Sequence, residues 1–127
     1  VITPDECKPG TVVMFACGSV GVVRGNPYPV DVADRAVAVG EVEDANGVKF
    51  THLFYPLLSD LQLAPRFLVG GEWQAVSGDP DREMGHVSWD SSWLACYFQY
   101  GDPVLQVCPT YAAAREAVER AVGRGKS

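Results

Sequence analysis

Apolar and polar positions alternate in short runs from residue 11 to residue 108, and a helical period appears only after Pro109. The early runs are rich in valine and bounded by Gly, Pro and Asn, which is how short strands and tight turns read. Lys8-Pro9-Gly10 predicts a turn, followed by a strand over 11–17 and a reversal at Gly18-Ser19 into 20–24. The prolines of GNPYP (25–29) predict a rigid loop. Alternation resumes over 36–43. Asn46-Gly47 then predicts a type I′ hairpin into a return strand over 48–55. In that strand Val48, Phe50, His52 and Phe54 share one face, and Lys49, Thr51, Leu53 and Tyr55 the other.

Residues 56–65 read either as a short helix or as irregular chain between two prolines. A second hairpin is expected across Gly70-Gly71, joining 66–69 to 73–77. Residues 86–108 predict a three-stranded meander, with turns at 90–92 and 101–103. Its middle strand, 93–100, is apolar on both faces, so it is expected to be covered by sheet on one side and helix on the other. The helix is expected over 110–122, capped by Thr110 and ended by Gly123. Tyr111, Ala114, Val118, Ala121 and Val122 form its apolar stripe. Arg115–Glu119 and Glu116–Arg120 have the spacing of ion pairs on its wet side. The fold class is therefore α+β: a mostly antiparallel sheet or small, partly open barrel closed by one C-terminal helix. The paired valine strands and the Asn-Gly hairpin of the N-terminal half resemble an SH3-like barrel, a resemblance of architecture that implies no activity.

The chain has 127 residues, which fits a single domain with a packed core, fraying at 1–8 and 123–127. No stretch is long and apolar enough to span a membrane. The first ten residues, VITPDECKPG, lack the basic and apolar regions of a secretory signal, so a cytoplasmic location is expected. A net charge of −6 with only ten basic residues argues against general nucleic-acid binding. Nineteen valines stand against one isoleucine, and seven arginines against three lysines. That bias is the mark of GC-rich codons, and points to a high-GC bacterium or one of its phages.

Candidate chemistry is sparse. Cys7, Cys17, Cys96 and Cys108 lack the close spacing of a zinc site, and His52 and His86 are isolated. No metal or other cofactor is expected, and the thiols are expected to be free. Asp79, Asp81 and Glu83 alternate like calcium ligands but lack the downstream Glu and the placed Gly of an EF-hand. Phosphate-loop, dinucleotide, serine-hydrolase and zinc-protease motifs are absent. Cys17, His52 and Asp60 supply the residue types of a thiol hydrolase without its local pattern.

The expectation is a small protein-binding or regulatory protein without catalytic activity, such as a phage accessory protein acting on a host protein. Tyr28, Trp73, Trp89 and Trp93, beside turns, are its candidate contact residues, because Trp and Tyr carry much of an interface's energy. The alternatives are a ligand-binding protein or hydrolase using dispersed residues, and an assembly component whose strand edges pair between subunits.

Overall fold

The structure, a computed structural model, describes residues 2–75 and 85–124, the side chain of Arg124 excepted. The chain divides into two compact units, 1–64 and 65–127.

In the first unit, β1 (Val12–Phe15), β2 (Val20–Val23), β5 (Val39–Glu43) and β6 (Leu61–Leu63) form an antiparallel sheet in the order β5-β2-β1-β6. β3 (Tyr28–Pro29) and β4 (Arg35–Ala36) pair as a separate ribbon, so the rigid loop expected at 25–29 contributes a short strand. The sheet is open; no barrel closes among the described residues. Branched valines fill its interior because they lose little rotamer freedom on a pleated surface. Val13, Val23, Val37, Val39 and Val42 pack with Ile2, Cys7, Leu58 and Leu61. Ile2 and Cys7, at the two ends of this first segment, thus belong to the core. Thr3 and Glu6 also bond each other through backbone and side chain. The ambiguous segment 56–65 resolves into a 3-10 turn (Leu58–Asp60) followed by β6.

The return strand expected at 48–55 does not form as a regular ladder. Asp44 captures the turn instead: its Oδ1 accepts from the N–H groups of Asn46 (2.8 Å) and Val48 (2.9 Å). Gly47 alone takes positive φ there, so the turn is not type I′. Beyond it the chain meets β5 only at the bridges Glu43↔Lys49 and Val39↔Phe54, with a one-residue slip between them. β5 is itself irregular, with a register shift against β2 and Glu41 at φ 53°. A one-residue slip reverses which face each side chain takes. Phe50, His52 and Phe54 nevertheless keep the expected common side, their rings packed on one another.

In the second unit, β7 (Phe67–Val69), β8 (Glu72–Gln74), β9 (His86–Trp89), β10 (Trp93–Gln99) and β11 (Asp102–Cys108) form an antiparallel sheet in the order β11-β10-β9-β7-β8. The expected hairpin across Gly70-Gly71 is present, its positions 76 and 77 lying outside the described residues, and so is the expected three-stranded meander. Gly70 and Gly71 have φ values of 60° and 89°, the pair of positive angles that a type I′ turn demands. The β10–β11 turn falls on Tyr100-Gly101, a position before the expected one. The helix α1 (Tyr111–Arg124) starts where expected, with Thr110 Oγ1 accepting from the Ala113 N–H at 3.0 Å. It continues through Gly123, which does not take positive φ and so does not end it.

α1 lies on one face of the sheet, against β9, β10 and β11. Tyr111, Ala114, Ala117 and Val118 are buried beneath it. The approach is close at Gly85: a Cβ there would come within 2.5 Å of Val118 Cγ1. Glu116–Arg120 forms at 3.5 Å. Arg115 does not pair with Glu119; it turns instead to the rings of Trp73 and Tyr111. α1 thus covers one face of β10, as expected, and Cys96 on the opposite face is buried as well. None of the described helices is long and apolar enough to cross a membrane.

Candidate functional site

The irregular segment after Gly47 creates the most aromatic surface of the first unit. Phe54 is half-buried and meets Phe15 of β1 edge to face, with ring centres 6.1 Å apart. Phe50 and His52 pack around Phe54 at 5.9 and 4.4 Å. Phe50, Leu53 and Tyr55 are exposed by 37%, 46% and 60%, and Val48 and His52 are exposed as well. The segment thus has a base anchored on the core and an outer surface of apolar groups in water. Tyr28 (44% exposed) belongs to the adjoining ribbon. Tyr28 pairs with Ala36, and Ala36 bridges Leu57. That places Tyr28 two strand spacings, about 10 Å, from the segment's end.

The tryptophans are placed differently. Trp93 is only 3% exposed, so it is a core residue and not the contact residue expected. It faces α1, edge to face with Tyr111 at 5.4 Å. Trp89 is half-buried against it at 5.0 Å. Trp73 is half-buried: its indole N–H donates to Glu119 Oε1 at 2.6 Å, and the Arg115 guanidinium lies 4.7 Å from its ring centre. Trp73 and Arg115 thereby fasten α1 to β8, a cation–π contact worth on the order of 1 kcal/mol.

The hydrolase residues form no hydrogen-bonded set. Cys17 is exposed, with its Sγ 3.3 Å from Ser19 Oγ. Asp60 is exposed on the 3-10 turn, its N–H bonded to the Leu57 carbonyl. Neither bonds to His52 among the described residues. His86 stacks on Phe67, with ring centres 6.1 Å apart. All four thiols are free. No group of His, Cys, Asp and Glu able to hold a metal occurs among the described residues. Asp79, Asp81 and Glu83 lie outside them.

The Ser19 contact sets Cys17 apart from the other three thiols. Its pKa lies below the ordinary thiol value, chiefly because the Ser19 side chain hydrogen-bonds the thiolate. Burial pushes Cys7 up to about 11. Iodoacetamide at neutral pH should therefore modify Cys17 first and Cys7 last. Labelling of Cys17 should reach its plateau at lower pH than that of a free cysteine, since thiolate is the nucleophile. Ser19→Ala should move that profile to higher pH. Peptide mass spectrometry over a pH series reads both effects.

The sequence pattern does not single out Leu53 and Tyr55, because they share a nominal strand face with Lys49 and Thr51. Two large apolar residues on an otherwise polar face were the available signal. Phe98, Leu105 and Val107, exposed on the second unit, were missed as well. Compared with known proteins, the chain matches no protein family, no curated protein and no solved structure.

Proposed function

We propose that this chain is a small protein-recognition module without catalytic activity, which docks on another protein through Phe50, Leu53 and Tyr55, with His52 and Tyr28 at the rim. The observation that carries the reading is the exposure of large apolar side chains along one irregular segment whose base is anchored by Phe54. Large exposed apolar side chains gathered on one short segment are a feature of interaction sites, and aromatic residues dominate binding energy when a partner desolvates them. Anchoring lowers the conformational entropy that docking must pay. The residue bias towards GC-rich codons points to a partner in a high-GC bacterium, and a phage accessory protein acting on a host protein is one such case.

The test is affinity capture from an actinobacterial lysate, followed by quantitative binding to the protein recovered. Combined Phe50→Ala and Tyr55→Ala should weaken that binding by about a hundredfold, two hot-spot losses of roughly 1.4 kcal/mol each. The melting temperature should hardly change, because both side chains are exposed. Undiminished binding by the folded double variant would place the surface elsewhere.

A further inference from the structure

We infer that β11 is a self-complementary edge through which two copies of this chain pair, joining their sheets across a two-fold axis at Leu105. This surface belongs to the second unit and is independent of the aromatic segment of the first.

In the sheet order β11 is an edge among the described residues. The opposite edge, β8, is three residues long and includes Glu72. Short, charged edges are protected from pairing. β11 is seven residues long, and its only charge, Asp102, stands at the end.

The hydrogen-bond phase of this edge follows from the turn. Tyr100 and Gly101 have φ values of 53° and 82°, a two-residue type I′ loop, so Gln99 and Asp102 form its hydrogen-bonded closing pair. Antiparallel pairs alternate in bonding. Residues 102, 104, 106 and 108 therefore direct their backbone groups towards β10, and 103, 105 and 107 direct theirs outward. Pro103 is one of the outward residues, which is where a strand tolerates proline.

A second copy laid antiparallel about Leu105 satisfies this pattern. The two Leu105 residues face each other and exchange N–H to carbonyl bonds. Each Val107 N–H meets the carbonyl of Pro103 in the other copy. The missing donor of Pro103 costs only the reverse bond. Asp102 stands opposite Cys108 and not opposite another Asp102, so no like charges meet along the strands.

The side chains agree with the backbone. Leu105 and Val107 are each 69% exposed and Phe98 is 42% exposed. Their pairings with Cys96, Leu94 and Pro103 put all of them on the sheet face away from α1. Pairing would make the apolar faces of the two copies continuous. A single strand pair is smaller than the about 800 Å² per partner of stable complexes, so the dimer should be weak, with a Kd on the order of 100 µM.

Sedimentation equilibrium of the intact chain from about 5 to 500 µM should show monomer passing to dimer. Leu105→Lys, at an exposed position, should leave the melting temperature unchanged and abolish the dimer. Val107→Pro removes a donor that β10 does not use, and should act in the same way. Register is tested by Leu105→Cys in a Cys17→Ser background. Directly opposed residues have Cα atoms about 5.5 Å apart, within disulfide range, so mild oxidation should link the copies. A monomer at every concentration would overturn the inference and leave Pro103 as a guard of the edge. So would a dimer that survives both edge variants and is not linked through position 105.

Discussion

Val118→Asp should unfold the C-terminal unit. Val118 is completely buried, and its Cγ1 occupies the space that a Cβ on Gly85 would need. An ionised group buried without a partner costs several kcal/mol, about 3–5 in measured cases. That is a large share of a total stability of about 5–15 kcal/mol. Val118→Ala removes only methyl groups and should cost about 2 kcal/mol. Urea unfolding followed by helix ellipticity compares the two. An aspartate variant that unfolds at the parental urea concentration would mean that α1 does not pack on the sheet.

Trp93→Ala should be the second most damaging substitution, at about 3–5 kcal/mol. Trp93 lies between Trp89 and Tyr111 and faces the helix. Its removal leaves a cavity lined by aromatic rings, which cannot collapse without moving α1. The same urea experiment measures it. A loss below about 1 kcal/mol would return Trp93 to the surface.

The sequence pattern was most readable where local chemistry decides the structure. The Thr110 cap, the double-glycine turn and the period-two run from Trp93 need only their neighbours, and each appears as expected. It failed where long-range pairing decides. Asn46-Gly47 has the composition of a type I′ turn, but the Asp44 carboxylate binds the turn's amides and only Gly47 takes positive φ. The alternation after Val48 is real in the sequence. It survives in the packed rings of Phe50, His52 and Phe54, but a slip against an irregular β5 breaks the ladder, and no local signal announces that slip. Tyr100 occupies the left-handed region without being Gly or Asn, so its turn was read a position late. Gly123 carries a stop signal that α1 ignores.

The candidate site was partly legible. Tyr28, an expected contact residue, is exposed; His52 stands out in the sequence only as a candidate for thiol-hydrolase chemistry. The tryptophans drew attention by lying next to turns, yet Trp93 points into the unit and Trp73 is engaged by Arg115 and Glu119. Position along the chain gave their neighbours, and only the sheet gave their face. Phe50, Leu53 and Tyr55 were hidden by the assumption of a regular strand.

The most direct test of protein recognition by this segment is site-specific photocrosslinking in cells. A benzophenone side chain at position 55 should produce a discrete higher-mass adduct with one protein. The same group at position 74, exposed on β8, should produce none. An adduct from position 74 with none from position 55 would contradict the account.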